Sequence, residues 1–156
     1  MTAGSTGFHE SYHQFYGGFT WEQEPLVWGF IEENYMRKYR GFLRVDFDWM
    51  ADGLWEIAFP GSVYMGISVE PEDFGMPAPL VARVRAWQES LDSLDVSEKD
   101  PDPEATDAEG LEISKEVKLF LGDDYYVEYW PFREISIKGG EAVELEVPAF
   151  ILDLAR

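Results

Sequence analysis

Residues 42–59 read FLRVDFDWMADGLWEIAF, and their periodicity decides the fold class. Leu43, Val45, Phe47 and Trp49 alternate with Arg44, Asp46 and Asp48. Strict alternation places one set on each face of a strand, which predicts a half-buried strand with its charges in water. Asp52-Gly53 then predicts a tight turn, and Trp55, Ile57 and Phe59 alternate again in a returning strand. Pro60-Gly61 turns the chain once more, and residues 63–69 predict a third strand. Phe42 to Val69 therefore reads as an antiparallel meander, which needs no crossover helix.

Working outward, the period changes to a helical one. On the N-terminal side Phe8, Tyr12, Phe15, Tyr16 and Phe19 form an aromatic stripe on a short helix ended by Gly17-Gly18. Thr20, with Gln23 and Pro25, predicts the start of a second helix that runs to about Tyr39 and closes at Gly41. On the C-terminal side, residues 70–79 are a proline-rich loop. Leu80, Val84, Trp87, Leu91 and Leu94 then recur at helical spacing, with Arg83, Arg85 and Glu89 on the opposite face. Residues 95–109 are almost free of apolar side chains and hold two prolines, which predicts a mobile acidic linker. Thr106 and Glu109 match a capping box, opening a helix that turns Leu111, Ile113, Val117, Phe120 and Leu121 inward and ends at Gly122. Tyr125 to Trp130, Glu134 to Lys138 and Ala142 to Val147 predict three more strands, the last two joined at Gly139-Gly140. Runs of strands without regular βαβ alternation indicate an α+β fold: a mostly antiparallel sheet of about six strands with about four helices packed on it. Whether the two strand sets share a sheet is left open by the pattern. Residues 1–156 are expected to form one domain behind a disordered terminus, residues 1–7.

Composition narrows the function classes. The chain has 31 acidic and 12 basic residues, a formal charge of -19, and no cysteine. Such a charge repels nucleic-acid phosphates and anionic membrane surfaces, so neither is an expected partner. Without cysteine there are no disulfides and no thiolate metal sites, which suits a reducing compartment; a cytoplasmic location is the expectation. No apolar run approaches a membrane-spanning length, and MTAGSTGFHESYH has neither the basic start nor the apolar stretch of a signal peptide.

The sharpest chemical pattern is His9-Glu10-Ser11-Tyr12-His13. Histidines at i and i+4 share one helix face and can both reach a zinc ion, and Glu10 could act as base on a zinc-bound water, with Glu32 or Glu33 as a further ligand. Zinc peptidases are similar to this chain over these five residues only. The pattern fixes three positions and stands at the chain's edge rather than behind a sheet. A surface-facing histidine pair is therefore the preferred reading, with no metal and no other cofactor expected. There is no G-x-S-x-G, no phosphate-cradling glycine loop and no calcium-loop spacing. The basic cluster Arg37, Lys38, Arg40 and Arg44 is read as charge complementing a helix C-terminus.

The distribution of acids is more informative. From Asp92 to Glu128 there are thirteen acids against three bases. Tyr125, Tyr126, Tyr129 and Trp130 cluster beside them, and Tyr and Trp are favoured interface anchors. A negative surface of this kind steers a basic partner and rejects acidic competitors. In size, charge and layout, and over LVARVRAWQESLD and EGLEISKEVKLFLGDDYYVEYW in particular, the chain resembles the small acidic immunity proteins of bacterial polymorphic-toxin and contact-dependent inhibition systems. The resemblance implies a protein that binds a cognate, basic toxin domain and blocks it. The expected contact residues are the acids Asp92, Asp95, Glu98, Asp123, Asp124 and Glu128, taken as exposed, with Tyr126 and Trp130 as anchors. The alternatives are the zinc peptidase and a structural or phage-type assembly protein without catalytic activity.

Overall fold

The computed structural model describes residues 24–48, 50–57, 60–61, 67–94, 98–130 and 135–144. The aromatic stripe, the expected disordered terminus, the Thr20 cap and the last apolar segment lie outside the described residues.

The described chain begins with α1 (Glu24–Ile31), followed by a π-helical turn, Glu32–Met36. The expected single helix to Tyr39 is thus divided. The Arg37 N–H reaches back to the Glu32 carbonyl (3.2 Å), the wide π spacing, and the Asn34 amide donates to the Phe30 carbonyl (2.9 Å). Gly41 does not close this helix; it opens β1 (Gly41–Val45). β2 (Leu54–Glu56) and β3 (Ile67–Ser68) complete the first meander. A short 3-10 turn, Pro71–Phe74, leads into α2 (Ala78–Asp92), which carries proline in its first turn, where the missing N–H costs nothing.

α3 (Pro103–Leu121) starts earlier than the capping-box reading places it, so residues 103–109 are helix and not linker. Asp102 is the cap: its Oδ1 accepts the Ala105 N–H at 3.1 Å, and Pro103 fills the first helical position. Both residues of the expected box are used elsewhere. The Thr106 hydroxyl donates to the Asp102 carbonyl, and Glu109 binds Arg83. β4 (Tyr125–Tyr129), β5 (Ile135–Lys138) and β6 (Glu141–Glu144) form the second meander.

All six strands join one sheet in the order β3-β2-β1-β4-β5-β6. It is mixed rather than wholly antiparallel. Each meander is antiparallel inside, but β1 and β4 pair in parallel, with Leu43 opposite Val127 and Arg44 opposite Glu128. Parallel neighbours need a long crossover, and α2 and α3 supply it between the two meanders. The described residues hold three α-helices where the sequence pattern suggests about four.

One sheet face, with Leu43, Val45, Leu54, Val127, Tyr129 and Ile137, packs on Leu80, Val84, Trp87 and Leu91 of α2 and on Ile113 and Val117 of α3. These positions are the inward stripes of both helices, and burying each large side chain stabilises the fold by roughly 1.5–3 kcal/mol. Gly110 sets how closely α3 approaches. A Cβ there would stand 2.5 Å from the Tyr129 ring, which is fully buried. Gly110→Ala, ordinarily favourable within a helix, is therefore expected to destabilise by about 1–3 kcal/mol, as overpacking does, and denaturant unfolding measures it. A gain in stability would show that α3 can lift off Tyr129 at no cost.

Candidate functional site: an acidic surface and a buried ion pair

α2 and α3 lie side by side and leave an open groove of about 330 Å³ between them, lined by Arg83, Trp87, Ser90, Thr106 and Glu109 among others. The Trp87 indole N–H donates to the Thr106 carbonyl at 3.0 Å, which ties the start of α3 to the middle of α2. Arg83 reaches across to Glu109 (2.8 Å) and also to Glu116. The Glu109 carboxylate, with Glu116 behind it, pushes the Arg83 pKa further up. Arg85 is held in the same way by Glu72 (2.7 Å) and more distantly by Asp52 (3.9 Å). Both arginines of α2 are thus occupied by carboxylates of the same chain.

The acids expected to meet a partner are dispersed. Asp92 is half-buried at the end of α2, and its Oδ1 accepts the Met50 N–H at 2.9 Å. Glu98 is exposed before α3, and Asp123 and Asp124 are exposed just after it. α3 has 19 residues, so at 1.5 Å per residue its two ends stand about 28 Å apart. The structure therefore does not bring these acids into one patch. Asp95 lies outside the described residues, as do His9, Glu10 and His13. Among the described residues no group of three or more His, Cys, Asp or Glu side chains could hold a metal ion.

Two of the expected surface residues are inside. Glu128 is 0% exposed and Tyr126 2%, and Arg44 and Asp46, expected on a solvated strand face, are 0% and 5% exposed. The second face of the sheet is therefore a buried polar layer. Its centre is an ion pair between neighbouring parallel strands: Arg44 Nε donates to Glu128 Oε2 at 2.7 Å. Glu128 Oε1 accepts the Gly61 N–H, also at 2.7 Å. The Arg44 guanidinium lies 3.9 Å from the centre of the half-buried Trp130 ring, a cation–π contact that is strong when desolvated. The Tyr126 and Ser136 hydroxyls share a hydrogen bond of 2.6 Å, and the Tyr126 ring packs edge-on against Tyr39.

Burial pushes the Glu128 carboxyl up, and Arg44 and the Gly61 N–H offset part of that. Asp46 has less help. Burial pushes its carboxyl up to about 7 against the pull of Arg44 and the Phe47 N–H. Asp46 Oδ1 is buried and has no hydrogen-bond partner among the described residues. A protonated Asp46 beside a charged Arg44–Glu128 pair leaves the layer neutral, which is the state a closed interior favours. A signal for this layer exists in the sequence: Arg in FLRVDF and Glu in YYVEYW are opposite charges, each flanked by apolar residues in a predicted strand.

The helix reading also needs one change at the surface. Phe120, expected inward, is 44% exposed, and Leu119 79%. Leu121 takes the inward place at that turn and packs on the core. No helix among the described residues is long and apolar enough to cross a membrane. In comparisons with known proteins, no family model matches the chain and no curated protein matches it.

Proposed function

We propose that this protein is an acidic protein-binding module, an immunity-type inhibitor that works in the cytoplasm by neutralising a cognate basic toxin domain. One observation carries the reading. Arg83 and Arg85 are each already engaged by two carboxylates of the chain itself, while Glu98, Asp102, Glu104, Asp123 and Asp124 remain exposed. These exposed acids are available to a partner of opposite charge. Asp92, Asp95, Glu98, Asp123, Asp124 and the accessible edge of Trp130 are the proposed contacts. Tyr126 and Glu128 contribute from within, by fixing the strand that carries Trp130.

Recovery of the partner from the native host should yield one basic protein. The association rate should fall steeply with added salt, since steering acts over a Debye length of about 10 Å at 0.1 M salt. Asp123→Lys combined with Asp124→Lys should slow association several-fold and change stability by less than about 0.5 kcal/mol, because both acids are exposed. Stopped-flow association and thermal unfolding measure the two quantities. Binding that ignores salt and this charge reversal, or a peptidase activity lost in Glu10→Gln, would overturn the proposal.

A further inference from the structure

We infer that Met50 is a displayed anchor: a single apolar side chain held out of an acidic surround to dock on an apolar cluster flanked by cations on a basic protein partner. The inference rests on the acidic-module reading and adds to it a contact that charge cannot supply. Met50 is 91% exposed, more than any other large apolar side chain among the described residues. Its backbone is left-handed, with φ 61°, and it is the one described residue other than glycine to adopt that region. A long side chain there is disfavoured and persists where its surroundings hold it. They do so here. The Ala51 N–H closes a turn onto the Asp48 carbonyl at 3.2 Å. Gln88 of α2 donates its amide to the same carbonyl, and Asp92, one helical turn further on, accepts the Met50 N–H at 2.9 Å. A glycine at this position would form the turn without strain, so the turn alone does not account for the methionine.

Charge selects the partner. Asp48 is exposed and Asp92 half-exposed at the loop, and the nearby Arg85 is taken by Glu72 and Asp52. A flexible, polarizable thioether packs on varied apolar surfaces, and the carboxylates around it favour one whose neighbours are Lys or Arg. Asp92 is then a positioning residue that fixes the loop.

The probes are two synthetic peptides of equal length and charge, one spacing its lysines with leucines and the other with serines, titrated into the full chain. We expect both to bind at low salt and the leucine peptide to bind more tightly, with the Met50 methyl resonance shifting only for that peptide. Met50→Gly relieves the backbone and removes the anchor. It should weaken the leucine peptide about tenfold, leave the serine peptide unchanged, and not lower the melting temperature. If both peptides bind equally, or Met50→Gly leaves the leucine peptide unaffected, the anchor is refuted while the charge reading stands. If neither peptide binds, the acidic-module reading falls with it.

Discussion

Glu128→Ala is expected to destabilise the protein by about 3–5 kcal/mol, because it removes the carboxylate that neutralises Arg44 in a closed interior. Both side chains are 0% exposed, and the carboxylate also accepts the Gly61 N–H, so its loss leaves two donors facing a void. Equilibrium unfolding in urea measures the effect. Replacing both partners by apolar residues of similar length, Arg44→Met with Glu128→Leu, should recover most of the loss, since the desolvation cost of both charges disappears together. With Arg44→Met and Glu128→Leu also measured singly, the interaction energy of the cycle should exceed about 1 kcal/mol, as found for residues in direct contact. Equal destabilisation by the single and the double substitutions would show that shape, and not charge, decides this site.

Asp46→Asn should raise stability at pH 8 and leave it nearly unchanged at pH 4. An ordinary aspartate ionises near 3.8, whereas burial moves Asp46 to about 7. Between these values the folded chain holds a proton that the unfolded chain has released, so stability falls as the pH rises through that window. Above pH 7 the full penalty stands, on the order of a few kcal/mol. Asparagine stays neutral throughout and removes it. The parent and the variant carry the same remaining acids, so subtracting their unfolding free energies at each pH cancels the general repulsion of a chain with net charge -19. A difference that does not grow between pH 4 and pH 8 would show that water reaches Asp46.

Much of the secondary structure was legible because it depends on local periodicity. Leu80, Val84, Trp87 and Leu91 recur every three or four residues, and only a helix places them on one side; they are the inward face of α2. The alternation from Phe42 and the turns at Asp52-Gly53 and Gly139-Gly140 likewise mark the meanders of the sheet. The helix start was missed because two local signals compete. Thr106 and Glu109 match a capping box, but Asp102 with Pro103 satisfies the first turn earlier and leaves Glu109 free to hold Arg83.

Pairing between the two meanders was not legible. The parallel contact of β1 with β4 joins residues 84 positions apart, as in Arg44 with Glu128, and no local pattern encodes such a partner. That one pairing decided the fate of four residues. Alternation sent Arg44 and Asp46 to water, and composition sent Tyr126 and Glu128 to a partner, yet all four are buried. A charged residue on a strand reads as exposed because an unpaired charge cannot be buried cheaply. Once β1 and β4 stand side by side, Arg44 and Glu128 find each other 2.7 Å away, and the rule no longer applies to them. Net charge, helix phase and turn chemistry belong to the sequence, since they act over a few residues or over the whole chain. Which charges face water belongs to the tertiary structure, since it depends on what the sheet brings opposite them.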